Sequence, residues 1–117
     1  MPRAELQVAL DFINLDQALR AARGAAKAGA DRLEAGTPLI KSEGLDAVRR
    51  LREECPSADI VADMKVMDAG RVETESAAKA GADFIHVLGA ASDSTVQECI
   101  EAAERYGASI TVDLLGV

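Results

Sequence analysis

Aromatic side chains are nearly missing from this chain: there is no tryptophan, and Phe12, Phe84 and Tyr106 are the whole set. Single-stranded nucleic acids are held largely by stacking on such rings, so that partner is poorly provided for. Basic residues are outnumbered too, 13 Lys and Arg against 20 Asp and Glu, and a formal net charge of −7 argues further against a phosphodiester backbone. An excess of this size is what ordinary solubility asks for. Only two cysteines occur, Cys55 and Cys99, without a C-x-x-C spacing. Neither a zinc site nor a disulfide framework is indicated, and reduced, structural thiols are expected. No apolar run approaches a membrane span, and the opening Met-Pro-Arg-Ala-Glu-Leu-Gln has no apolar signal region. The expectation is a soluble, cytoplasmic chain with neither nucleic acid nor membrane as partner.

What is present is a 49% apolar chain of 117 residues, enough for one domain over 1–117 with a real core. From Glu5 to Phe12 apolar residues alternate, Leu6, Val8 and Leu10 on one face and Gln7, Ala9 and Asp11 on the other, which predicts a first strand ending at Asp11. Asn14 with Gln17 forms a capping-box variant before an apolar stripe of Leu15, Leu19, Ala22 and Ala26. A second strand spans Arg32 to Ala35, placing Glu34 near its C-terminal end. Thr37-Pro38 is expected to cap a short turn. A second helix carries Leu45, Val48 and Leu51 and stops at Cys55-Pro56. A third helix runs from about Arg71 to Lys79, a fourth strand from Phe84 to Leu88 with His86 inside it. Ser92 or Asp93 caps a fourth helix, and Ile110 to Leu114 forms a fifth strand, with Thr111 and Asp113 on one face.

One repeat supports this order. Ala25-Ala26-Lys27-Ala28-Gly29-Ala30-Asp31 recurs verbatim at residues 77–83, an offset of 52 residues, or two βα units of 26. A helix ending on Gly and dropping at once into a strand is the αβ connection of parallel sheets.

The chemistry concentrates in Asp59-Ile60-Val61-Ala62-Asp63-Met64-Lys65-Val66-Met67-Asp68-Ala69-Gly70. Alternation puts Ile60, Ala62 and Met64 on one face and Val61, Asp63 and Lys65 on the other. Asp-x-Lys-x-x-Asp at a strand's C-terminal end gathers charge where βα proteins do chemistry. A lysine between acids also makes a solvated surface network worth roughly 0–1 kcal/mol. Against that stands the way the other strands end, on Asp11, Glu34 and Asp113. A lone His86 in an apolar strand reads as a packed or mouth-lining residue rather than a catalyst, and Asp113 reads as mouth-lining.

The strands carry polar residues on one parity (Gln7 and Asp11, Asp63 and Lys65, Thr111 and Asp113). A doubly wound sheet, covered on both faces, has near-continuous apolar strands instead. The expected class is therefore α/β, a (β/α)8-barrel type, here a partial barrel of about five parallel strands and four helices. Eight units at this pitch need about 208 residues. The open edges and bare inner face of such an arc predict strong self-association.

These segments carry a resemblance. Leu-Gln-Val-Ala-Leu-Asp (6–11), Leu-Glu-Ala-Gly-Thr-Pro-Leu-Ile-Lys-Ser-Glu-Gly (33–44), residues 60–70, Val-Leu-Gly-Ala-Ala-Ser-Asp-Ser-Thr (87–95) and Val-Asp-Leu-Leu-Gly-Val (112–117) resemble the 3-hexulose-6-phosphate synthase family. That family lies in the orotidine 5′-monophosphate decarboxylase superfamily, beside 3-keto-L-gulonate-6-phosphate decarboxylase. The resemblance runs over essentially the whole chain but only the first half or so of the family's barrel. It implies a Mg²⁺-dependent aldol addition of formaldehyde to D-ribulose 5-phosphate through an enediolate. It further implies Glu34 and Asp63 as metal ligands, and Lys65 as the cation beside the enediolate oxygen. Asp11 would orient Lys65, both touching substrate, and Asp68 would reach into a partner subunit's site, hence a homodimer. The family's catalytic histidine after strand six and its phosphate site after strands seven and eight have no counterpart in these residues, and His86 stands where the family usually has Thr. Three readings stay open at this point: the synthase, the decarboxylase, and a half-barrel assembly module without turnover.

Overall fold

The computed structural model describes residues 2–117; Met1, the first residue of the expected domain, lies outside them. The elements run β1 (Gln7–Leu10), α1 (Leu15–Lys27), β2 (Arg32–Ala35), α2 (Thr37–Glu43), α3 (Asp46–Glu54), β3 (Asp59–Val66), α4 (Gly70–Ala80), β4 (Phe84–Leu88), α5 (Asp93–Tyr106) and β5 (Ser109–Asp113). There are five helices among the described residues, not the four expected. The addition is α2, where a short turn was expected. Gly36 takes the capping position, Thr37 is itself helical, and Pro38 falls in the first turn, where its missing N–H costs nothing. The other cap expectations hold: Asn14 Oδ1 accepts from Gln17 N at 3.0 Å. Ser92, not Asp93, caps the start of α5, its Oγ accepting from Thr95 N.

All five strands are parallel and lie in chain order, β1-β2-β3-β4-β5. A doubly wound sheet reverses its order part-way; an unreversed order is that of a barrel wall. The helices cover one face only. Val8, Leu10, Leu33, Ala35, Ile60, Ala62 and Ile85 pack there with Ala18, Leu19 and Ala22 of α1, Leu39 of α2 and Val48 and Leu51 of α3. Each fully buried Leu or Ile contributes roughly 1.5–3 kcal/mol. A second cluster joins Val66, Val87, Ala91 and Cys99 beneath α5. Cys55 and Cys99 are buried and free. Among the described residues, no helix is long and apolar enough to cross a membrane.

The opposite parity forms the inner face. Its first row, read through successive register pairs, is Ala9, Glu34, Val61, Phe84 and Ser109. Towards the outer strands this face is open: Gln7, Ala9, Ser109 and Thr111 are all exposed.

The repeat has a structural job at the other end of the strands. Asp31 Oδ2 accepts from Leu6 N, and Asp83 Oδ2 from Ile60 N, each at 2.8 Å. Each aspartate thus clamps the start of the preceding strand while its own strand begins. The two helices before them both turn off through glycines in the left-handed region, Gly29 (φ 104) and Gly81 (φ 118), a conformation glycine adopts without Cβ strain. These acids serve the fold, at the end away from Asp63 and Asp113.

At its C-terminal end β3 leaves the regular ladder. Register with β4 passes from Ala62↔Ile85 to Val66↔Val87, four residues of advance against two. Lys65 there has φ 44, the only positive φ outside glycine among the described residues. Bulges of this kind bend a strand and re-aim its side chains, and they gather beside active sites.

Candidate active site

The bulge brings Asp63 and Lys65 onto the inner face beside the tips of β4 and β5. Lys65 Nζ donates to Asp113 Oδ2 at 2.7 Å and to Asp63 Oδ2 at 3.1 Å. His86 Nδ1 lies 3.3 Å from Asp63 Oδ1. Asp63 is only 7% exposed, so its charge has to be answered locally. Burial pushes its carboxyl up; the hydrogen bonds from His86 and Lys65 outweigh that and hold it down at about 2. The Asp113 carboxylate, with Asp63 behind it, keeps the Lys65 ammonium above the ordinary lysine range despite partial burial. Asp113 in turn is lowered by Lys65 and by the N–H of Leu115, which donates to its Oδ1 at 3.0 Å.

Asp113 was foreseen only as mouth-lining, and its pairing with Lys65 was missed. The signal was there: both residues share the inner-face parity at the ends of strands with one strand between them. His86, expected to be packed or mouth-lining, has a 14% exposed side chain and makes a polar contact to Asp63. The expected Asp11–Lys65 contact is corrected. The lysine bonds to Asp63 and Asp113, because the bulge turns it towards β5 and away from β1. Asp11, just past the end of β1, instead packs on the start of α2. A Cβ added to Gly36 would fall 1.9 Å from Asp11 Oδ1 and 3.0 Å from the Leu10 carbonyl oxygen, so a larger residue there would have to displace the Asp11 side chain.

Glu34 belongs to the same rim. Its Oε1 accepts from Gln7 Nε2 at 2.7 Å. Burial raises its carboxyl; the Gln7 amide opposes the rise, and the charges of Asp63 and Asp11 add to it. Asp68 lies apart, exposed in the β3–α4 loop, where its charge adds to the upward push that burial gives Glu73.

Two places could hold a cation. Asp63, His86 and Asp113 have ligand atoms within 4.8 Å of one another, but the Lys65 ammonium already bonds to both carboxylates. Glu34 with Asp63 is the second, and it shares Asp63, the carboxylate that Lys65 engages. Both offer hard oxygen donors, and Glu34 is a half-buried carboxyl with like charges near it and an amide, not a cation, as its hydrogen-bond partner.

Residues 4–117 fit the model of the orotidine 5′-phosphate decarboxylase / HUMPS family. The chain belongs to that family. Among its curated relatives, a 3-hexulose-6-phosphate synthase of Mycobacterium gastri is 42% identical over 113 residues, covering 97% of this chain and 54% of the relative. One of Bacillus subtilis is 41% identical, with 97% and 53% covered. Among solved structures, a 3-hexulose-6-phosphate synthase superposes with a TM-score of 0.90 at 42% identity, over 95% of this chain and 53% of that one. A 3-keto-L-gulonate-6-phosphate decarboxylase of Vibrio cholerae gives 0.89 at 35% identity, with 95% and 51% covered. The chain spans about half the length of the family members it matches. Within the family fold it is a five-stranded portion of the barrel wall, with Glu34, Asp63, Lys65 and Asp113 at or near the C-terminal ends of its strands.

Proposed function

We propose that this chain carries the enediolate-stabilising rim of a 3-hexulose-6-phosphate synthase, adding formaldehyde to D-ribulose 5-phosphate in the cytoplasm. The observation that carries the reading is the Asp113–Lys65–Asp63 bridge beside Glu34. In the aldol step a proton leaves C1 of the ketose and the electron pair spreads onto the C2 oxygen. C1 then bonds to the formaldehyde carbon, whose carbonyl pair becomes an alkoxide and takes up a proton.

Lys65 supplies a fixed positive charge where the enediolate oxygen develops. A preorganised cation is worth most when it has nothing to reorganise, and two carboxylates already fix this one. Asp113 and Asp63 also keep it protonated through neutral pH. Glu34 and Asp63 would hold Mg²⁺, which when bound supplies Lewis-acid stabilisation of the sugar oxygens. Asp11 binds substrate from the end of β1. Asp68 is suited by its exposure to act across a homodimer contact, and the open inner face favours self-association.

A complete barrel carrying these residues, with Mg²⁺, ribulose 5-phosphate and ¹³C-formaldehyde, tests this by NMR, since the 117 residues alone lack a counterpart to the family's late histidine and phosphate site. Labelled 3-hexulose 6-phosphate is expected. Release of CO₂ from 3-keto-L-gulonate 6-phosphate without formaldehyde addition would replace the reading with the decarboxylase. Neither reaction, together with tight homotypic association, would replace it with an assembly module.

A further inference from the structure

We infer that Thr37 is a positioning residue for the Lys65 rim, its hydroxyl holding the β3 bulge in the shape that presents Asp63 and Lys65. The regular pairing of β2 with β3 ends at Ala35↔Ala62, because at Gly36 the chain turns into α2. Pairing with β4 is out of register from Ala62 to Val66. Asp63, Met64 and Lys65 therefore have no in-register partner on either side, in the stretch where the backbone carries its positive φ. One rung beyond the last β2–β3 pair, Thr37 Oγ1 donates to the Asp63 carbonyl oxygen at 2.7 Å. A side-chain hydroxyl thus continues a ladder that the backbone of a helix start has abandoned.

The position is specific. Thr37 opens α2, and α2 is tied at its far end to the β1–α1 loop: Ser42 Oγ donates to Ile13 O at 2.6 Å, and Glu43 accepts from Leu15 N at 3.0 Å. The hydroxyl therefore anchors the bulge to a segment held at both ends. As the first residue of a helix, Thr37 has no capping duty for its side chain, since Gly36 holds that place. Without the hydroxyl, the Asp63 carbonyl loses a part-buried partner next to the carboxylate that Lys65 and His86 share.

The functional consequence rests on the synthase reading; the geometric one does not, and the test separates them. Thr37→Val and Thr37→Ser are compared with the unaltered chain by NMR of the Lys65 ε-methylene and His86 ring, and by steady-state kinetics. Expected are shifted Lys65 and His86 resonances in Thr37→Val and native ones in Thr37→Ser. A loss of kcat of about 10–100-fold with KM changed less than about threefold is expected in Thr37→Val alone, the scale of an ångström of misplacement. Unmoved Lys65 and His86 signals in Thr37→Val would overturn the inference. So would Thr37→Ser behaving like Thr37→Val. Should Thr37→Val unfold, Thr37→Ala takes its place, and unfolding of both would overturn positioning in favour of a plain fold requirement. If a complete barrel carrying the unaltered residues shows no turnover yet the resonances shift as expected, the synthase reading fails and the positioning role stands.

Discussion

Lys65 Nζ and Asp113 Oδ2 meet at 2.7 Å although 48 residues separate them, so one ion pair spans from β3 to β5 across the tip of β4. The Asp113 carboxylate is the first cause of the raised Lys65 value. A lysine whose folded value is raised contributes stability below its unfolded value of 10.5 and loses it as pH rises through the folded one. Asp113→Asn should bring the Lys65 titration down, read from the pH dependence of its ¹³Cε shift, and should weaken alkaline stability. An unchanged Lys65 titration would show that Asp63 alone holds the ammonium.

Lys65→Ala removes the cation and leaves the helical core untouched, since Lys65 packs on the inner face. Turnover should fall by at least about 10²–10³-fold, as for loss of a preorganised charge stabiliser. Far-UV circular dichroism should keep its native shape. Substantial residual turnover in a folded variant would remove Lys65 from its role.

Asp63 sets the acid limit. Its folded value of about 2 lies below the ordinary 3.8, so its stabilisation is complete above 3.8 and disappears as pH falls through 2. That difference amounts to on the order of 2 kcal/mol. Thermal melts of the native chain and of Asp63→Asn should differ at neutral pH and converge between pH 4 and 2. Curves that stay parallel over that window would contradict the assignment.

Glu34 runs the other way. Its carboxyl is raised by burial, with the charges of Asp63 and Asp11 adding to the rise, so keeping it ionised costs stability at neutral pH. Glu34→Gln keeps an acceptor for Gln7 and removes the charge; a gain of about 0.5–1 kcal/mol is expected in metal-free melts. The same variant should weaken the Mg²⁺ response more than sugar-phosphate binding. A destabilised variant with an unchanged metal titration would reassign this carboxylate.

Much of this was legible before any coordinates. Strand parity separated Ile60, Ala62 and Met64 from Val61, Asp63 and Lys65, and the packing of the first three against the helices follows it. The 52-residue repeat marked two equivalent αβ connections. Less legible was anything depending on where strands stop pairing. Alternation says which face Lys65 takes, but not that a bulge carries its ammonium to β5 rather than to Asp11. Thr37-Pro38 resembles a capped turn locally; nothing in that stretch shows that the hydroxyl donates to the Asp63 carbonyl, 26 residues on, while Gly36 takes the cap.

The most direct measurement uses Mn²⁺ as a paramagnetic stand-in for Mg²⁺, titrated into the chain while its NMR spectrum is recorded. Expected is selective broadening at Glu34 and Asp63, then Lys65 and Asp11, sparing Asp31 and Asp83 at the opposite strand ends, and lost in Glu34→Gln. Broadening centred elsewhere, or unaltered by Glu34→Gln, would contradict a shared cation site at the strand tips.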